Sequence, residues 1–426
     1  MSARPSGDWT PGDGPALPLA LLVDGAELME FAPSPDGLRL AAVVADPDGM
    51  RVRILGPGIS DIIEWPGSWE RARQLRWSAD GRLAAITAQD DEWTVVEDGQ
   101  PWPDTHEFLW DLRHTADGHA VAAIKTGDGY GLSRAGVAWP TAFPMVRDFC
   151  VSPQGGRMAC TVQVEPKQEA DIEAFAAGLW SLAVDGEVWS RRFVNVWEPV
   201  LSADGQRAAA LVRVSRTEHT VAVDGEPWDQ AFGCAWGPSF TPDGAVLAPV
   251  KIAAGWTLAR DGQLFWDGGF AQLWRQKAAG DGRVAAVVAP EFGRWTVAVD
   301  GKPWSTTWDE WAGDPVFGTG GDERVAAAVK DHGCWTVAVD GRPWNLSGER
   351  LHDPVILPAG GPVLAVIERE GHWQLVADGR PVGGVWRKLW PLIVGPDGET
   401  VLMRGLGAEG NYVRRVVNLT GERSRP

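Results

Sequence analysis

The chain of 426 residues contains 52 Gly, 31 Pro, 25 Trp, 12 Phe, 2 Tyr and 4 Cys. With 44% hydrophobic and 23% charged residues it is neither a disordered nor a membrane-spanning chain, and its Gly and Pro content excludes a long-helix protein. Lys and Arg number 39 against 57 Asp and Glu, a formal charge of −18 that repels phosphate backbones, so nucleic acid is not an expected partner.

In chain order, the Pro- and Gly-rich stretch 1–14 is expected to be loose. The apolar run Ala16 to Val23 is interrupted by Pro18, closed by Asp24 and not preceded by a Lys/Arg-rich start. It is too short to span a bilayer and does not read as a signal peptide, so direct membrane insertion is not expected and the expected location is cytoplasmic. Leu19 to Leu28, around Asp24-Gly25, reads as a hairpin. From there to residue 421 two turn motifs alternate. One is Trp295-Thr-Val-Ala-Val-Asp-Gly-Lys-Pro-Trp304, repeated as Trp335-Thr-Val-Ala-Val-Asp-Gly-Arg-Pro-Trp344, with looser copies such as Trp93 to Trp102, Trp180 to Trp189, His219 to Trp228 and Trp256 to Trp266. The other is of the Ser-Pro-Asp-Gly-Arg type, as at Pro35-Asp36-Gly37, Ala79-Asp80-Gly81, Ala203-Asp204-Gly205 and Pro396-Asp397-Gly398.

Ten turns of the second type recur at roughly 39-residue intervals, the period of a propeller blade. Two Asp-Gly hairpin signals per period mean four strands per repeat. Alternation in Trp295 to Val299 fits a strand with two unlike faces, and the Ala/Val runs after Arg283 and Arg324 fit strands covered on both. The fold class is therefore all-β, a β-propeller of about ten four-stranded repeats over residues 15–421, with two smaller propellers as the alternative. A short insertion at 165–178 includes Gln168 to Ala177, which reads as a short amphipathic helix, and 422–426 form a tail. The chain finishes on a strand, Arg415 to Thr420, so pairing between N- and C-terminal strands is expected to close the ring.

Chemistry-bearing patterns are scarce. Cys150, Cys160, Cys234 and Cys334 form no C-x-x-C pair, the seven His form no H-x-x-x-H pair, and no G-x-S-x-G elbow or phosphate loop occurs. Cys150 and Cys160 read as reduced, buried cross-strand neighbours, and His332-Gly-Cys334 as part of a loop rather than half a metal site. No cofactor, metal or catalytic residue is expected. Eighteen of the 25 Trp stand in fixed register with the two turns; Trp9, Trp65, Trp69, Trp77, Trp308, Trp311 and Trp386 do not. Of these, Trp65, Trp69, Trp308, Trp311 and Trp386 are the candidate partner-binding anchors, because Trp concentrates binding energy at interfaces.

The Ser-Pro-Asp-Gly-Arg turns followed by Ala/Val strands resemble the repeats of WD40-like, TolB-type β-propellers, over nearly the whole chain. The Trp-Thr-Val-Ala-Val-Asp-Gly-x-Pro-Trp repeats of this acidic chain also resemble the tryptophan-rich cytoplasmic subunit of the Tmc transmembrane redox complex of sulfate-reducing bacteria. That second resemblance implies a non-catalytic accessory subunit on the cytoplasmic side of a membrane electron-transfer complex, partnered by haem and iron–sulfur subunits and carrying no redox centre of its own. The alternative is a soluble propeller enzyme, a hydrolase or lyase with its site in the central channel.

Overall fold

The computed structural model describes residues 7–56, 62–166 and 176–419. They form ten antiparallel sheets arranged as the blades of one ring. Blade 1 is typical, with strands Glu27–Pro33, Leu40–Asp46, Gly49–Leu55 and Ile62–Glu64 paired in chain order. First strands of neighbouring blades touch, as in blades 4 and 5, which places them on the inner rim. The helix expected over Gln168 to Ala177 falls largely outside the described residues, and the tail 422–426 lies wholly outside them.

Each element of the repeat has a physical reason. The turn between third and fourth strands puts both central residues at positive φ, as in Asp300 at 48° and Gly301 at 77°, the type I′ geometry that matches strand twist. Its Asp also reaches sideways: the Asp300 carboxylate accepts the Val284 N–H of the second strand at 2.9 Å, and Asp98, Asp340 and Asp378 repeat the contact. The second strands carry small residues, and Ala84, Ala122, Ala209, Ala285 and Ala326 are all fully buried, so neighbouring blades approach closely.

Two contacts recur between blades. The Trp three residues after the turn Gly lies on the turn Gly of the next blade; a Cβ on Gly341 would stand 2.9 Å from Trp304 Cβ, and one on Gly379 would stand 3.2 Å from Trp344 Cγ. The Arg that ends the second motif donates to a turn carbonyl of the next blade, as from Arg39 to Gly81, Arg82 to Asp117, Arg157 to Gly205, Arg207 to Gly244 and Arg324 to Gly361. The motif's Asp and Arg are thus committed to turns and joints.

Closure differs in detail from the expectation. Blade 10 takes its fourth strand, Gly12–Asp13, from the stretch expected to be loose, paired antiparallel with Val416 and Arg415 of Tyr412–Asn418. Leu19 to Leu28 is not a hairpin: Leu19–Val23 forms a one-turn helix ended by Asp24 at φ 44°. Leu-Ala-Leu-Leu-Val followed by Asp-Gly suits a left-handed helix end as well as a hairpin turn, and Gly12–Asp13 already occupies the strand position. Among the described residues no helix is long and apolar enough to cross a membrane.

Candidate functional site

The five Trp singled out by sequence do not form one site. Trp65, Trp308 and Trp386 are buried, at 4%, 3% and 4% exposure, which corrects their expected role as exposed anchors. Trp65 donates its N–H to Val52 as Trp102 does to Val95, and it lies on Gly99 of the next blade. It is a register Trp displaced in sequence by a longer hairpin. Trp308 bridges Trp295, and Trp386 bridges Trp373, each thirteen residues on. Phe143, Phe193 and Phe232 stand at the same spacing from Tyr130, Trp180 and His219, a further aromatic register that the Trp count alone conceals. Trp69, partly buried, bridges Met50 in the same way. Trp311, also partly buried, remains outside any register and begins the first strand of blade 8.

The inner rim supplies a different cluster. In most blades a side chain from the first strand packs against the residue that opens the third, face to face or edge-on. Ring pairs are Trp110 with Tyr130 at 6.2 Å, Trp236 with Trp256 at 5.2 Å, Trp274 with Trp295 at 4.5 Å and His352 with Trp373 at 4.7 Å. In blades 2 and 4 the first-strand partner is a cation instead: Arg73 lies 4.7 Å over Trp93 and Arg147 3.7 Å over Trp180. One slot therefore accepts either a flat ring or a flat cation.

Just after this slot the first strand bulges. Gln74, Asp111, Asp148, Glu198 and Arg275 take positive φ there, and Gly237-Pro238 and Asp314-Pro315 interrupt the ladder in blades 6 and 8. Bulges re-aim side chains. Across blades 5 to 8 they open a cavity of about 570 Å³ whose walls include Glu198, Trp236, Ser239, Trp274, Gln276 and Trp311. The Glu198 carboxylate lies against Gly237, where a Cβ would come within 1.8 Å of Oε2, so only glycine fits. The Gln276 amide fixes the same residue by donating to the Gly237 carbonyl at 2.9 Å.

The charges around the cavity are unevenly matched. Arg275 lies 4.9 Å over Trp311 and pairs with Asp314 at 2.7 Å, and Lys277 pairs with Asp314 at 3.0 Å. Glu198 forms no ion pair among the described residues. Loss of surrounding water raises its pKa, the Gly237 N–H pulls it down, and the Asp148 carboxylate of blade 4 raises it further. The Ser239 hydroxyl is buried without a hydrogen-bond partner, and no His, Cys or Lys lines the cavity. Glu198, Ser239 and Arg275 escaped the sequence reading; the legible signal was that Arg73 stands eight residues before Gly81, where other blades place Trp.

Outside the rim, Asp309, Asp331 and His332 bring three potential metal-ligand atoms within 4.8 Å of one another. The two carboxylates already accept backbone N–H groups, Asp331 from Asp309 and Asp309 from His332, which clasp a loop to a hairpin. Cys334 is exposed and takes no part in that group. Cys150 and Cys160 are free thiols on paired strands, and burial pushes the Cys150 thiol up to about 12.

No family model matches the chain, and no curated protein does. Solved structures do. A eukaryotic initiation factor is 12% identical with a TM-score of 0.49, covering 85% of this chain and 89% of that one. The β-propeller domain of the Trilobed protease from Pyrococcus furiosus, described as having an open velcro topology, is 16% identical with a TM-score of 0.29, covering 64% and 95%. TolB from Acinetobacter baumannii is 11% identical with a TM-score of 0.29, covering 72% and 79%. Such likeness concerns the fold alone.

Proposed function

We propose that the protein is a non-catalytic scaffold that docks a protein partner on the outer edge of its ring. One observation carries the reading. The fourth strand is the free edge of each blade, and blades 2, 5, 7, 8 and 9 place Pro101, Pro227, Pro303, Pro343 and Pro381 at its second residue. The N–H at that position points away from the sheet, so proline removes an outward donor and blunts the edge. Blades 4 and 6 keep the donor and carry Val188 and Leu264 there, at 37% and 48% exposure. Blade 3 adds Val137 beside its own unblunted position, at 72% exposure. Unblunted apolar edges suit another chain's strand or loop. Val188→Pro and Leu264→Pro transplant what sibling blades already carry. Both variants are expected to melt like the parent and to lose a partner that the parent retains in a native pull-down; retention by both counts against edge docking.

The narrower reading, an accessory subunit of a membrane electron-transfer complex, is supported by sequence resemblance alone. It requires co-purification with haem and iron–sulfur subunits from gently solubilised membranes, and their absence sinks it. A second reading, an enzyme acting toward the channel, is favoured by Glu198, whose raised pKa in a cavity suits acid–base chemistry. It requires a substrate, from a panel of esters and glycosides, that the parent turns over and Glu198→Gln does not.

A further inference from the structure

We propose that the cavity between blades 5 and 8 binds a small free organic cation of the alkylammonium type, held against Trp236 and Trp274 with Glu198 as counter-charge. This goes beyond edge docking and does not depend on it.

The molecule supplies its own precedent. Where the first-strand slot holds Arg73 or Arg147, a guanidinium already lies on a Trp face of the same rim, at 4.7 and 3.7 Å. In blades 6 and 7 the slot holds Trp rings instead, and the two cations nearby are both engaged by Asp314. What remains is a carboxylate with no cationic partner among the described residues, beside aromatic walls. That arrangement attracts a weakly hydrated cation, because ring quadrupole and carboxylate charge act together where water is partly excluded. An anion would meet Glu198 and the field of a chain with formal charge −18. A volume of about 570 Å³ suits a small molecule rather than an inorganic ion.

Calorimetric titration of the full chain at constant ionic strength tests this with two probes of one shape, choline and its neutral isostere 3,3-dimethylbutan-1-ol. Saturable choline binding is expected, at least about tenfold tighter than the isostere, a gap of about 1.4 kcal/mol. Glu198→Gln should weaken choline by about tenfold and leave the isostere unchanged, while Trp236→Ala should weaken both. Thermal melts of the two variants are to match the parent, so that a lost signal reports the site rather than the fold. Equal binding of choline and isostere, no saturation with choline, or undiminished choline binding in Glu198→Gln overturns the proposal. A failed partner pull-down leaves it standing, and failed choline binding leaves edge docking standing.

Discussion

Blades 7 and 10 perform the same structural task with different means. In blade 7 the third and fourth strands are joined by Asp300-Gly301, and the joint to blade 8 combines Trp304 resting on Gly341, Arg283 donating to the Glu323 carbonyl, and Arg275 and Lys277 paired with Asp314. In blade 10 those two strands come from opposite ends of the chain, 402 residues apart where Arg415 meets Asp13. Polar contacts take over: the fully buried Tyr412 donates its hydroxyl to the Gly37 carbonyl at 2.9 Å, Arg414 donates to Asp36 at 2.8 Å, and Arg404 to Ser34 at 3.1 Å. A covalent turn holds strands at high effective concentration, so the polar contacts of a repeat joint can stay at its surface; where the turn is missing, directional bonds from buried groups tie the seam.

The contrast can be broken at either blade. The largest effect is expected for Tyr412→Ala, which removes a buried ring and its hydrogen bond and should cost about 3 to 5 kcal/mol in urea unfolding, by analogy with other buried aromatics. Tyr412→Phe, losing only the bond, should cost about 1 kcal/mol. Next come the turn glycines. Gly341→Ala forces a non-glycine residue to φ 77° and presses on Trp304, for about 2 to 4 kcal/mol. Gly25→Ala, at φ 79° just after the one-turn helix with nothing nearby, should cost only about 1 to 2 kcal/mol, and losses equal to those of Gly341→Ala would refute the idea that pressure on Trp304 adds to the strain of the turn.

Acid should find a repeat joint before it finds the seam. Burial first, and then Arg82, depress the His114 pKa to about 4. The unfolded chain protonates this residue near pH 6.5, so unfolding takes up a proton between about pH 6.5 and 4, and stability falls as pH drops through that window. The loss is about 2 kcal/mol at pH 5, and His114→Gln should shrink the difference between urea midpoints at pH 7 and pH 5. Buried Arg404 and Tyr412 at the seam do not titrate there. The smallest effect is expected for Arg324→Met, which gives up a donor to Gly361 and a partly exposed pair with Asp322, for about 1 kcal/mol by thermal melt.

Whatever depends on contacts within one repeat was legible in the sequence. The Asp-Gly turns gave the hairpins, the Ala/Val runs gave the doubly covered strands, and the period gave the blades. Contacts between blades were not legible, because nothing in Ser-Pro-Asp-Gly-Arg says that its Arg reaches a carbonyl some 40 residues away, as Arg283 does. Gly12–Asp13 was invisible for a related reason: a two-residue strand contributes backbone pairing and no hydrophobic pattern. Trp65 looked unregistered because its hairpin is longer than the others, and Trp308 and Trp386 because their register is shared with Phe rather than Trp. The cavity draws on four blades, so the role of Glu198 emerged only once bulges had turned first-strand residues toward a common space.

The latch made by Gly12–Asp13 also sets an order of events during synthesis. At about 5 to 20 residues per second, a ribosome takes roughly 20 to 80 s to reach the strand that these residues will pair with. Until then nine blades can assemble in sequence while Gly12–Asp13, already made, waits without its strand partner, leaving an open edge at the end of a growing arc. A strand translated ahead of all ten blades is thus among the last to be placed, and the hoop shuts only when Arg415 and Val416 arrive.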